Sequence, residues 1–288
     1  MLLVNLRYWS SKNLVRPLTR TDISSVKNLA LQDEISNCFL INRLQELEQY
    51  TWSLQNEFLV FEENGKIESA IYFGANIIPL NTSEKSQIQF AQHLLDQPKR
   101  ISSIVGNKDE VMSFWQILKP FMPTPREIRS TQPLLVIDDL PLIAPDNFVQ
   151  PVLMRDLDLL IPACVSMFTE EVGVSPVGEI SEKSYRNRIA DVINQRKMFA
   201  RIENNQVIFK AEIGVSTNKV CQVQGVWVPP HLRGRNFGKA GMASVVNFAR
   251  QNFAPKVSLY VNDYNLRAQA VYKSVGFQEH STFATILF

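Results

Sequence analysis

Apolar residues along the 288-residue chain recur with two periods, and each change of period marks an element. A short extended run, Leu14–Arg16, stops at Pro17. Helical spacing follows over Thr19–Leu31, opened at Thr21 or Asp22, and again over Glu34–Glu48. Glu57–Phe61 reads as a strand, Glu63-Asn64-Gly65 as a turn and Ile67–Phe73 as the hairpin partner. Asn76–Leu80 is a further strand. Ile88, Ala91, Leu94 and Leu95 share one face of a helix over Ser83–Leu95. A strand at Ile101–Val105, a helix over Asp109–Phe121 and a strand at Thr131–Ile137 complete the series, with Pro120, Pro123 and Pro125 ending the helix.

The polar, proline-containing stretch Ala144-Pro145-Asp146-Asn147 then reads as a linker. A second series begins beyond it. Val149–Leu153 is a strand, Asp156–Glu170 a helix, Gly173–Val177 a loop, and Ser181–Gln195 a helix with Ser181 as its cap. Met198–Ile202 and Val207–Gly214 flank the turn Glu203-Asn204-Asn205. A strand ending at Val228, a helix from Phe237, a strand at Val257–Asn262, a helix toward Gly276 and a strand over Ser281–Phe288 follow. The two series share one order, and their hairpin turns fall at matching places. The pattern predicts an internal duplication with a period of about half the chain, hence two domains, 1–144 and 145–288.

One stretch in the second series carries chemistry. Val226-Trp227-Val228 is halted by Pro229-Pro230, because proline cannot donate to a strand ladder. Then come Arg233-Gly234-Arg235-Asn236-Phe237-Gly238-Lys239-Ala240, and Phe237, Gly241, Val245 and Phe248 recur at helical spacing. A helix start presents unpaired N–H groups and partial positive charge. Gly234 and Gly238 admit close backbone approach, and Arg233 and Arg235 add charge. The arrangement predicts a pyrophosphate cradle. It is neither a P-loop nor a three-glycine dinucleotide fingerprint. The matching place in the first series, Asn81-Thr82-Ser83-Glu84-Lys85, has no glycine and no arginine pair.

The cradle resembles the acyl-CoA loop of the GNAT acetyltransferases, Gln/Arg-x-x-Gly-x-Gly/Ala, through Arg235, Gly238 and Ala240. A second stretch, Asp263-Tyr264-Asn265-Leu266-Arg267-Ala268 through Tyr272 to Gly276-Phe277, is similar to that family's Asn-x-x-Ala-x-x-x-Tyr-x-x-x-Gly-Phe motif, with Asp263 as a fair helix cap. The resemblance covers roughly the last half of the chain. It implies an α/β (α+β) fold of two tandem GNAT-like domains, each a mixed, mostly antiparallel sheet flanked by helices. The first would be a degenerate domain of the kind found ahead of GNAT domains in some bacterial acetyltransferases.

The resemblance further implies direct transfer of an acetyl group from acetyl-CoA to a primary amine, on a small molecule or a peptide. Val226, Trp227 and Val228 would meet the pantetheine arm, Arg233 to Ala240 the pyrophosphate, and Asn265 the CoA. Tyr272 would give a proton to the departing thiolate. Many members carry a Glu base on the strand before the cradle, where this chain has Gln222 and Gln224. Glu212 is the first choice for base instead, although Lys210 and Glu212, on one strand face with Ile208, also suit a structural ion pair. Glu170 and Glu171 are candidate acceptor-binding residues. A non-catalytic acyl-CoA sensor or interaction module is the alternative from another class.

Composition narrows little further. A net charge of +2 is too balanced to argue for nucleic acid or a membrane surface, and neither is expected as a partner. Cys38, Cys164 and Cys221 are odd in number and far apart, so neither a disulfide framework nor a metal is expected. The opening Met1–Arg7 has no signal-peptide pattern, and a cytoplasmic location is the default expectation.

Overall fold

A computed structural model describes residues 14–49, 57–96, 100–178 and 181–288; the opening Met1–Arg7 lies outside them. The chain forms two compact units, one of residues up to Leu134 together with His280–Phe288, the other Leu135–Glu279.

The first unit contains β1 (Val15–Pro17), α1 (Ile23–Ala30), α2 (Cys38–Gln49), β2 (Phe58–Glu63), β3 (Lys66–Phe73), β4 (Asn76–Leu80), α3 (Glu84–Asp96), β5 (Ser103–Asn107), α4 (Lys108–Leu118) and most of β6 (Glu127–Ile137). Antiparallel pairing runs β1 to β4, and β5 joins β4 in parallel. The chain's last strand, β12 (Gln278–Leu287), then pairs antiparallel with β5, from Phe283 opposite Asn107 to Leu287 opposite Ser103. β6 lies beside it, where the Thr285 hydroxyl donates to Gln132 Oε1 at 2.6 Å. Helices α1 and α2 cover one sheet face around Phe58, Val60 and Tyr72, and α3 and α4 the other around Ile71, Ile77 and Ile104.

The second unit repeats this plan with β7 (Gln150–Pro151), α5 (Leu157–Val172), α6 (Glu182–Asn194), β8 (Met198–Glu203), β9 (Gln206–Ser216), β10 (Val220–Trp227), α7 (Phe237–Asn252), β11 (Lys256–Tyr260) and α8 (Leu266–Val275). β7 to β10 are antiparallel in sequence order, and β11 joins β10 in parallel. α5 and α6 pack on one face against Met198 and Ala200, while α7 and α8 pack on the other against Phe209, Ala211 and Ile213. Each unit is thus a mixed, mostly antiparallel sheet flanked by helices. The two hairpins turn alike: Asn64-Gly65 and Asn204-Asn205 all have positive φ, as a two-residue turn matched to strand twist requires.

Three details differ from expectation. The chain divides inside β6 and sends its last strand to the first unit, so the units are not the uninterrupted halves 1–144 and 145–288. Leu135 and Ile137, at the end of β6, belong to the second unit's core. The stretch read as a linker is instead fastened to α7. Asp146 is buried, takes Arg201 at 2.8 Å, and shares its backbone with Ala240 and the Ser244 hydroxyl. Finally, α8 is capped by Asn265 rather than Asp263, its Oδ1 accepting from Ala268 N–H at 3.1 Å.

Gly241 shows how closely α7 approaches the sheet, since a Cβ there would lie 2.7 Å from ring carbons of Phe209. In an open helix, replacing Gly by Ala stabilises by about 1 kcal/mol. Forcing a methyl into a packed core costs about 1–3 kcal/mol. Gly241→Ala is therefore expected to lower stability slightly despite its better propensity, and urea unfolding checks the sign.

Candidate active site

The site follows from where β10 loses its neighbours. Its parallel pairing with β11 runs only from Val220 opposite Lys256 to Gln222 opposite Ser258. Its register with β9 slips between Gln224 and Trp227, where Gly225 adopts φ +60°. A left-handed residue inside a strand is a bulge that glycine occupies without strain. Past Gln222 the strands part, and a cavity of about 670 Å³ lies in the opening. Val223–Val228 form one wall, Leu259–Asn262 the other; α5 contributes Met167, Glu170 and Glu171, and α8 contributes Ala268 and Tyr272.

One end of the cavity meets the start of α7. Asn236 stands at the N-cap with φ +65° and makes no side-chain cap bond, so the first N–H groups of α7 keep no side-chain partner there. Gly234 has φ +84° and nothing within 4 Å of its absent Cβ, an open position that only glycine fits freely. Gly238 faces Val228 and Val271, each at 3.9 Å from its absent Cβ. Of the expected cofactor-binding residues, Val226, Trp227, Val228, Arg233, Gly234, Asn236, Phe237, Gly238, Lys239 and Asn265 line the cavity. Arg235 and Ala240 do not. Arg235 is exposed, and the Ala240 carbonyl is used within the fold by Asp146 and Ser244.

Arg233 is held from two sides, Nε on the Val228 carbonyl at 3.0 Å and Nη2 on Glu170 at 2.7 Å. Glu170 also accepts from Trp227 Nε1 at 3.1 Å. The Arg233 bond keeps its carboxyl below the ordinary Glu range. Glu170, expected as an acceptor-binding residue, thus lines the cavity and braces Arg233. Glu171 points to the other end of the cavity, where Asn262 Nδ2 donates to it at 3.2 Å and to the Tyr264 hydroxyl at 2.9 Å. Tyr272 is buried at 8% exposure with its ring against Phe277, and burial followed by the Glu171 charge pushes its phenol above the ordinary value.

Glu212 does not line the cavity. It is buried under α6, accepting from Arg188 Nη2 and Gln224 Nε2, both at 2.6 Å. Burial pushes its carboxyl up, but Lys210, Arg188 and Gln224 together bring it below the ordinary value. A carboxylate so held and so walled off is a poor proton acceptor for an incoming amine. The environment corrects the expected base role toward the ion pair. Met167, Gln224, Gly225, Asn262 and Arg267 also line the cavity and were not singled out as site residues. A glycine inside an otherwise apolar strand was the available signal for Gly225. Among the described residues no cluster of side chains fits a metal, the three cysteines are free and buried, and no helix is long and apolar enough to cross a membrane.

The first unit answers the same β-α-β geometry differently. β4 and β5 pair in parallel at Asn76–Ser103 and Ile77–Ile104, with α3 between them as α7 lies between β10 and β11. At the start of α3 the Thr82 N–H and hydroxyl both donate to Glu110 of α4, the hydroxyl at 3.1 Å. Ser83 and Ser86 complete the cap, each backbone N–H taking the other's hydroxyl. Asn107 caps α4 as Asn265 caps α8, so Glu110 and Ala268 both stand three residues past a cap. The position that is a small cavity-lining alanine in one unit is an internal anion in the other. Burial pushes the Glu110 carboxyl up even against the two Thr82 bonds.

Residues 166–277 match the family model described as Acetyltransferase (GNAT) family, and residues 56–160 match a domain of unknown function, DUF4081. Solved structures of similar fold include an acetyltransferase of the GNAT family from Colwellia psychrerythraea, 11% identical over 95% of this chain and 99% of that one, with a TM-score of 0.59. A GCN5-related N-acetyltransferase from Sphaerobacter thermophilus is 14% identical over 96% and 95%, with a TM-score of 0.59. A tandem GNAT protein from the clavulanic acid biosynthesis pathway is 11% identical over 95% and 98%, with a TM-score of 0.54. At such identities the likeness is one of fold. No curated protein matches the chain. Residues 166–277, within the second unit, are thus the part of the chain that the GNAT family model identifies.

The buried charges give a pH test. Because Glu212 has a folded value below the ordinary one, its stabilisation is complete above the ordinary value and is lost as pH falls from there through the lower folded value. Unfolding free energies measured from neutral to acid pH should fall for the parent chain and stay flatter for Glu212→Gln. At neutral pH that variant should be less stable by about 3–5 kcal/mol, since Lys210 and Arg188 would be left without their anion.

Proposed function

We propose that the second unit binds acetyl-CoA and transfers its acetyl group to a primary amine, on a small molecule or a peptide. The observation that carries this reading is the cavity between the parted strands, which runs from an uncapped helix start to Tyr272 and Glu171. The residues present suit the nucleotide. Pyrophosphate would sit on the α7 N–H groups beside Gly234, Gly238 and Lys239, with Arg233 held ready by Glu170. The pantetheine arm would lie along Val228 and Val226, where β10 has no β11 partner.

Glu171, in place of Glu212, serves as base in this reading. It lines the cavity, is exposed to it, and is held by Asn262. It takes a proton from the acceptor ammonium, and the freed amine adds to the thioester carbonyl carbon. As the C–S bond breaks, Tyr272 gives its proton to the thiolate and recovers one from the amide nitrogen. A phenol pushed above its ordinary value stays protonated until that moment, which suits a donor. In the first unit Glu110 supports the view that acetyl-CoA binds once per chain, since an acidic side chain holds the glycine-free loop that leads into α3.

Calorimetry on the full chain should therefore give one acetyl-CoA site. Gly238→Asp, which sets bulk and negative charge at the cradle, should abolish that binding; unchanged affinity would place the phosphates elsewhere. Release of CoA over a panel of amines tests the reaction. On an amine that turns over, Tyr272→Phe and Glu171→Gln should each lower turnover by about 10²–10⁴-fold with acetyl-CoA affinity nearly unchanged. If both variants turn over at the parent rate, the domain's chemistry lies with other residues. If no amine reacts although acetyl-CoA binds, the acyl-CoA sensor reading takes its place.

A further inference from the structure

Lys210 is completely buried in the middle of β9, and its ammonium has no hydrogen-bond partner. An ammonium withdrawn from water without a partner destabilises a fold, so its presence needs an account. Glu212 lies two residues on along the same strand face, but its carboxylate is already taken by Arg188 and Gln224. Lys210 and Arg188 against Glu212 leave the cluster one positive charge in excess. Both cations act on Glu212 through space, but only Arg188 hydrogen-bonds it, so one anion leaves a positive charge to spare.

Its position is informative. Lys210 is opposite Trp227 in register, beside the slip that creates the Gly225 bulge. A Cβ on Gly225 would lie 3.1 Å from Lys210 Nζ and 3.2 Å from Met167 Cε. Gly225 and Met167 line the cavity, and Lys210 does not. The ammonium thus stands directly behind the wall at a residue with no side chain to separate the two. An arm laid from the cradle along Val228 and Val226 advances about 3.3 Å per residue and brings its reacting end to Gly225 and Gln224.

We infer that Lys210 is a positioning residue for the acyl group: its buried ammonium, acting across the Gly225 peptide, stabilises the negative charge that gathers on the thioester oxygen. The inference rests on the acyl-transfer reading above. It takes no part in proton transfer. As the amine adds, the carbonyl π pair moves onto oxygen; as the C–S bond breaks, the pair returns. A fixed cation in a site closed to water lowers the energy of that oxygen at each moment without reorganising, whereas the same charge in solvent would be screened. It also polarises the carbonyl of the bound thioester before any amine arrives, which gives a readout independent of the acceptor.

The test uses the full chain with acetyl-CoA carrying ¹³C at the carbonyl, observed by infrared difference spectroscopy. The bound carbonyl band should lie at lower wavenumber than in free acetyl-CoA. In Lys210→Met and Lys210→Gln it should move back toward the free value, with the acetyl-CoA dissociation constant within about threefold of the parent. On an amine that reacts, kcat should fall about tenfold or more while KM for acetyl-CoA stays close to the parent value. The melting temperature should hold, because Arg188 remains against Glu212 and only the excess positive charge of the cluster has been removed. A carbonyl band and turnover unchanged in both variants would overturn the inference, and so would failure of both to fold, which makes Lys210 structural. If the parent chain does not bind acetyl-CoA, it is the acyl-transfer reading that fails, and this inference with it.

Discussion

Everything distinctive in the second unit depends on two parallel strands that stop pairing. β10 and β11 share three register positions and then separate, and a buried strand that loses a neighbour leaves backbone groups to be satisfied in some other way. A bulge at Gly225 turns β10, the proline pair ends it, and the loop after it delivers a helix start at the mouth of the opening. The cavity is thus a consequence of strand geometry, and the side chains in it are placed by elements on both sides of the sheet. An extended ligand with hydrogen-bonding amides and a terminal phosphate fits what that geometry leaves unpaired.

The first unit makes the same argument by contrast. It has the same parallel crossover and the same cap on the following helix, yet Glu110 stands where the second unit has Ala268. The Glu110 carboxyl takes the Thr82 N–H and hydroxyl in the loop entering α3, while Ser83 takes a helix N–H itself. Two backbones of one plan therefore differ in whether a carboxyl of the chain fills the space beside the loop into the helix. The glycine-free loop Asn81–Lys85 and the internal carboxylate belong together: with the anion supplied from α4, no close approach of an outside group is required, and Thr82, Ser83 and Ser86 can form an ordinary polar cap.

How far the sequence could be read follows from how local each feature is. Element types, the hairpin turns and the cradle depend on neighbours a few residues apart, and Gly234, Gly238, Lys239 and Tyr272 all face the cavity as the motifs imply. The fate of the last strand could not be read, because hydrophobic alternation states that Ala284 and Ile286 are buried without stating against which sheet edge. Asp146 looked like linker chemistry, since Pro-Asp-Asn is turn-forming wherever it occurs. Its burial depends on Arg201, which is far away in sequence.

That Glu212 lies outside the cavity was not legible for a related reason. Alternation correctly set Lys210 and Glu212 on one face of β9 but could not tell a cavity from the underside of a helix. The deciding partner, Arg188, comes from α6, and Gln224 comes from the adjacent strand. Gln224 both lines the cavity and binds Glu212, so one amide separates the buried ionic cluster from the reacting space. A neutral amide cannot take the proton that a carboxylate at that point could. It does fix the wall while leaving the cluster's charge intact behind it. Two acidic groups do reach the cavity, both from the end of α5: Glu170 is held by Arg233, and its neighbour in sequence, Glu171, by Asn262. Adjacent carboxylates on one helix end thus meet different partners because successive helical residues turn toward different parts of the cavity wall.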